Sequence, residues 1–199
     1  MTSAATPPMT SAGTAAGMPL GAWSLLGTLF LPLLLALLVA LPHGAWAAEL
    51  QIPMWRIDGE GVAEPIGSLM ARDSETGLVL VPDLQGLPPG EHGFHLHGGS
   101  SCGAGLSDGV RVAGLAAGGH WDPDHAGHHL GPDGPGHRGD LSRLVVAADG
   151  RATAEVRAPR LQVRDLAGRA LIVHAGGDTY SDTPPLGGGG ARIACGLAA

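Results

Sequence analysis

The sequence predicts an all-β domain built as a sandwich or barrel. Three observations carry this. Gly and Pro supply 34 and 16 of the 199 residues, about a quarter, so turn formers abound and good helix formers are scarce. Past residue 48 the apolar residues fall in short runs, the first of which alternates with period 2. The runs recur at roughly even spacing between turn signals, the pattern of many short strands. No Gly-X-Y period is present, so the composition is not collagen-like.

The first 48 residues stand apart, because no charged residue precedes Glu49. Leu20 to Leu41 is almost wholly apolar, and Ala45-Trp46-Ala47 follows as an A-x-A cleavage pattern. This reads as an export signal over residues 1–48, cut near Ala47 or Ala48, with Met9 or Met18 as alternative starts. The apolar run also has the length of a bilayer span, about 22 residues at about 1.5 Å each, so a retained membrane anchor is the alternative. Either way residues 49–199 are expected outside the cytoplasm as one domain, touching a membrane only if the N-terminal segment is kept. The net charge of −7, with all eleven basic residues Arg and none clustered, excludes nucleic acid as a partner. Two cysteines, Cys102 and Cys195, follow the leader, and an even pair in an exported chain implies one disulfide.

The strands follow in order. Leu50, Ile52 and Met54 alternate with polar neighbours, and Pro53 within that run predicts an edge strand or a bulge. Ile66–Ala71 and Leu78–Val81 are the next strands. Pro88-Pro89-Gly90 breaks the chain before His92–His97. Arg143–Ala147 and Arg151–Arg157 flank Asp149-Gly150 and read as a hairpin. Pro159–Gly168 is the one plausible short helix, and Ala170–His174 and Ala191–Cys195 complete the set. Gly98–Leu141 has little apolar periodicity, and so long a loop inside a compact domain is expected to be functional.

Histidines define that function. Seven of the ten lie from His95 to His137. On a strand His95 and His97 share one face, leaving Phe94 and Leu96 to enter the core. His120, His125, His128, His129, His137 and Asp140 sit in the long loop, and His174 lies on a distant strand. His137 and Asp140, three apart in a Gly-flanked turn, can reach one cation. Three imidazoles with one carboxylate make a closed zinc site, and four imidazoles suit copper. The Asp of metallo-β-lactamase-like hydrolases two residues beyond H-x-H is replaced by Gly99, and H-E-x-x-H and G-x-S-x-G are absent.

The segments GEHGFHLH, GGHWDP, HHLGP, GHRGDL, VHAGGDTYSD and LGGGGARIACG, in this order, resemble the copper/zinc superoxide dismutases, and among them the exported bacterial branch. The resemblance runs from about Leu50 to the C-terminus. It implies a Greek-key β-sandwich or barrel, immunoglobulin-like in type, with long metal-binding loops, and cofactors copper and zinc. It implies that superoxide is the substrate, dismuted to oxygen and hydrogen peroxide as extracytoplasmic defence. By the resemblance His95, His97, His120 and His174 hold copper, and His120, His129, His137 and Asp140 hold zinc, so His120 bridges. Cys102 and Cys195 match the family's disulfide. Asp178 matches the carboxylate linking a copper His to a zinc His. Arg192 matches the arginine that attracts the anionic substrate, and His120 also carries the proton. The chain has no Lys, so Arg192 with Arg111 or Arg138 must supply the steering charge. His128 is a rival to His129 for zinc, while His92 and His125 have no ligand role. Family members occur as monomers and homodimers, and the sequence leaves both open. A non-enzymatic metal carrier on the same fold is the competing reading.

Overall fold

The computed structural model describes residues 49–199. The predicted leader, its cleavage site and the membrane-anchor alternative lie outside the described residues.

Eleven strands form. They are β1 Glu49–Asp58, β2 Gly61–Ser74, β3 Gly77–Leu84, β4 Gly90–His92, β5 Phe94–His97, β6 Gly105–Ser107, β7 Val110–Val112, β8 Leu144–Val146, β9 Val156–Ala158, β10 Arg169–His174 and β11 Arg192–Ala198. Seven make one curled antiparallel sheet in the order β5-β10-β11-β1-β2-β3-β9. β4 pairs with β8, and β6 with β7. The all-β expectation holds, and no α-helix occurs among the described residues.

Alternation decides which residues enter the core. In β1, Ile52, Met54 and Ile57 are buried while Gln51, Pro53 and Trp55 are exposed. Ile52, Met54, Leu69, Leu80, Leu96 and Leu171 pack with Leu144 and Val146 of the β4–β8 ribbon in one cluster. Each such side chain contributes about 1.5–3 kcal/mol on burial. Phe94, fully buried, is the largest member of that core.

Four expectations need correction. β1 is an interior strand, so Pro53 does not mark an edge; its ladder to β11 covers only Met54–Arg56, and Pro53 lies just outside it. The bulge expectation holds, because the β1–β2 register shifts at Trp55. Asp149-Gly150 does turn the chain, but the flanking strands separate: β8 pairs with β4 and β9 with β3. The predicted helix at Pro159–Gly168 is a single 3-10 turn, Val163–Leu166. Finally, the long loop is not without structure. It holds the β6–β7 hairpin, whose turn residues Asp108 and Gly109 have φ of 51° and 78°.

Candidate metal centre

β5 is the edge strand from which the centre is built. Its inner side pairs with β10, setting Ile172 opposite His95 and Ala170 opposite His97. Its outer edge would leave backbone groups unpaired, and the long loop satisfies them. Leu96 N–H donates to Gly139 O at 2.9 Å, and Trp121 N–H donates to Leu96 O at 2.8 Å. These bonds place Asp140 opposite His95 and His120 opposite His97. Gly139 permits the approach, since a Cβ there would lie 2.1 Å from Leu96 O. His174 ends β10 beside a bulge, its N–H donating to Gly93 O at 2.8 Å. Four separate stretches of sequence thus meet at one sheet edge.

Two sets of side chains result, each with its donor atoms within 4.8 Å of one another. One is His95, His97, His120 and His174; the other is His120, His129, His137 and Asp140. His120 belongs to both. Ring centroids of His95 and His120 are 4.0 Å apart, and those of His97 and His120 are 5.0 Å apart.

Outer hydrogen bonds determine which nitrogen of each ring faces inward. His95 donates from Nε2 to Asp178 at 2.7 Å, and His97 from Nδ1 to Gly118 O at 2.8 Å. His174 donates from Nδ1 to Gly190 O at 3.1 Å, and His129 from Nε2 to Asp178 at 2.7 Å. The other nitrogens, His95 Nδ1, His97 Nε2, His120 Nε2, His129 Nδ1, His137 Nδ1 and His174 Nε2, are buried and lack hydrogen-bond partners among the described residues. Such orphans are costly unless a ligand takes them. In the second set His120, His129 and His137 bring Nδ1 to 2.9, 3.0 and 3.3 Å of the same oxygen, Asp140 Oδ1. His129 Nδ1 presents a lone pair to a carboxylate, a contact that is favourable only with a cation or proton between them. The donor sets fit copper and zinc: four imidazoles in one, three imidazoles and a carboxylate in the other.

The electrostatics separate the two sets. Burial first, then repulsion from the neighbouring imidazoles, lowers His95 to about 3 and His97 to about 2. Burial lowers His174 to about 4, with Arg192 adding to the effect. These rings stay neutral, ready to bind metal. Burial opposes protonation of His129 too, but the carboxylates of Asp140 and Asp178, set against its two ring nitrogens, overcome it and raise it to about 9. Both carboxylates are held well below the usual range by those same imidazoles, despite burial.

Arg192 is half-buried and donates to Gly114 O at 2.5 Å and to Gly118 O at 2.6 Å. Cys102 and Cys195 form a disulfide with Cα atoms 5.8 Å apart, joining the loop before Gly114 to β11 three residues beyond Arg192. Arg138 pairs with Asp124 at 2.6 Å, and Arg111 donates to Gly59 O at 2.6 Å. His129 is fully buried within the second set, while His128 is exposed and pairs with Asp182 at 2.8 Å. His125 is exposed, and His92 is buried between the carbonyls of His174 and Pro88, at 2.7 and 2.8 Å. Sequence reasoning passed over Asp182, whose Oδ1 accepts the His129 N–H at 2.7 Å, although it closes the VHAGGDTYSD segment. It also passed over Arg143, which donates to Asp178 O at 2.7 Å and lies 4.5 Å over the Tyr180 ring.

The family model for copper/zinc superoxide dismutase (SODC) matches residues 67–198. A superoxide dismutase [Cu-Zn] of Escherichia coli K12 is 51% identical over 166 residues, spanning 82% of this chain and 95% of that protein. One from Photobacterium leiognathi is 45% identical over 164 residues, spanning 81% and 93%. The solved Cu/Zn superoxide dismutase from Brucella abortus aligns over 76% of this chain and 100% of its own, with a TM-score of 0.75 and 45% identity. The solution structure of the monomeric enzyme from Salmonella enterica aligns over the same shares, with a TM-score of 0.70 and 49% identity. The two imidazole-rich sets therefore sit in a chain that belongs to the copper/zinc superoxide dismutase family.

Proposed function

We propose that this protein is an extracytoplasmic superoxide dismutase. His95, His97, His120 and His174 hold copper, and His120, His129, His137 and Asp140 hold zinc. The observation that carries this reading is the set of six buried, unpartnered imidazole nitrogens, arranged in two groups that share His120.

Copper, when bound, supplies the one-electron couple by which one superoxide is oxidised to oxygen and a second, with two protons, is reduced to hydrogen peroxide. The chain's own residues do the rest. Arg192 is a fixed positive charge beside His97 and attracts the small anion. The two carbonyls that hold its guanidinium prevent it from collapsing onto a carboxylate. His120 keeps Nδ1 toward Asp140, so Nε2 is the atom that holds and delivers a proton near the substrate. Asp178 orients His95 and His129 together, which couples the geometry of the two groups. The disulfide suits an oxidising compartment, and the charge-free 48-residue leader suits export; together they support a periplasmic location.

The test is to measure copper and zinc per chain in the purified protein, then superoxide removal before and after copper loading. One copper and one zinc with copper-dependent removal is expected. Stoichiometric copper with no activity would overturn the enzymatic reading in favour of a metal carrier.

A further inference from the structure

Arg160 follows β9 by two residues and is half-buried. Its guanidinium donates three hydrogen bonds, all to backbone carbonyls of one short turn. Nη1 reaches Gly134 O at 2.5 Å and His137 O at 3.3 Å, and Nη2 reaches Gly136 O at 2.8 Å. The neighbouring Arg138 is committed elsewhere, to Asp124.

We propose that Arg160 is a positioning residue for zinc, clamping the 134–137 turn so that His137 Nδ1 is in place at Asp140 before the metal arrives. This deepens the reading of His129, His137 and Asp140 as zinc ligands and rests on it. The turn has little else to hold it. It is Gly-Pro-Gly in sequence, and its backbone lies directly against 128–130, where a Cβ on Gly136 would meet His128 O at 2.4 Å. One hydrogen bond, His137 N–H to His128 O at 2.8 Å, joins the two limbs. A loop of glycines loses much entropy when ordered. A planar guanidinium with parallel donors can hold three carbonyls in one fixed arrangement, which an ammonium cannot. Arg160 thereby ties the metal loop to the rigid β9–β3 edge of the sheet, from outside the loop.

The experiment compares the wild-type chain with Arg160→Met and Arg160→Lys. Three quantities are read: the rate of zinc release to a chelator, copper content, and the visible spectrum with cobalt(II) in place of zinc. Loss of a residue that orients a ligand costs about 10- to 100-fold in metal affinity. Arg160→Met is expected to release zinc at least about ten-fold faster, with a changed cobalt spectrum and unchanged copper. Arg160→Lys should recover part of the difference. Wild-type release rates and cobalt spectra in both variants would overturn the proposal. Should Arg160→Met fail to fold, Arg160→Lys decides alone: faster release supports the clamp, and a wild-type rate removes it. His137→Ala serves as the reference. If it keeps zinc at wild-type affinity, the ligand reading fails and the proposal with it. If it loses zinc while Arg160→Met does not, only the clamp fails.

Discussion

His97 and Arg192 hydrogen-bond to the same atom, the carbonyl oxygen of Gly118, at 2.8 and 2.6 Å. A carbonyl has two lone pairs, so both donors are satisfied at once. The consequence is geometric. The side chain that carries the permanent positive charge is indexed through one backbone oxygen to a ring of the all-imidazole group. The disulfide at Cys102 and Cys195 anchors both sides of that arrangement, the loop and the strand.

Removing the guanidinium should therefore slow the encounter without emptying the site. Superoxide dismutases are themselves a standard example of electrostatic steering, which raises association rates by about 10- to 1,000-fold. Arg192→Ala should lower kcat/KM by at least about ten-fold and flatten its dependence on ionic strength, with copper content intact. Arg192→Lys keeps the charge but cannot hold Gly114 O and Gly118 O together, so it should fall between. The measurement is superoxide removal against salt concentration, alongside metal analysis. An unchanged rate in Arg192→Ala would assign Arg192 a purely structural role.

Asp178 offers a second test, because it joins the two groups from behind. Its two oxygens accept from His95 Nε2 and His129 Nε2, and Oδ1 also accepts the Tyr180 N–H at 2.8 Å. Asp178→Asn is nearly isosteric but leaves one accepting oxygen. The imidazole facing the new NH2 must switch tautomer and present an N–H toward the metal position. Metal affinity at one or both groups should fall about 10- to 100-fold. Competitive chelator titration of copper and zinc separately measures it, and wild-type affinity for both metals would contradict the orienting role.

Local pattern made parts of this arrangement legible and hid others. The β1 alternation and the His95–His97 pair are properties of neighbouring residues, and both read correctly as strand and shared face. Asp149-Gly150 and Asp108-Gly109 show the limit. The first looks like the better hairpin because longer apolar runs flank it, yet β8 and β9 find their partners in β4 and β3, far away in sequence. The second closes the actual β6–β7 hairpin, whose Leu106 and Val110 are exposed and carry little hydrophobic signal. The same limit applies around the centre. Histidine and carboxylate positions stand out by residue type, whereas Gly118, Gly114 and the Arg160 acceptors act through backbone oxygens that no motif records. The partners of Arg111 and Arg138, Gly59 O and Asp124, are likewise set by the fold and carry no local signal in the sequence.

Processing of the leader is checked directly. If residues 1–48 act as an export signal, the protein from its native host should begin at Ala48 or Glu49, and intact mass with N-terminal sequencing reads this. Recovery of the full apolar segment, Leu20 to Leu41, on membrane-bound protein would favour the anchor.

The metal-free protein should lose stability as pH falls from about 6.5 to about 4. An unfolded histidine titrates near 6.5. In the folded chain burial lowers His95, His97 and His174 to about 3, 2 and 4. Across that window the unfolded chain binds protons at these three rings and the folded chain does not, so acid favours unfolding. Each site fully in this regime contributes about 1.4 kcal/mol per pH unit, and three contribute on the order of 4. Two units would then consume much of the roughly 5–15 kcal/mol that holds an ordinary domain together. His129 works in the opposite sense but in a different range. Raised to about 9, it stabilises the fold below 6.5 and loses that contribution as pH rises toward 9, so it adds no slope between 6.5 and 4. Asp140 and Asp178, both lowered, stabilise the fold fully above the ordinary carboxylate range and lose that contribution only below it, so they add little slope between 6.5 and 4. Bound metal occupies the same nitrogens and stabilises only the folded chain, so the loaded protein should resist this acid transition. Urea midpoints of the metal-free, disulfide-intact protein at pH 7 and pH 5, set beside those of the loaded protein, measure the effect. A metal-free midpoint that does not fall would mean that the three rings are not held neutral by their burial.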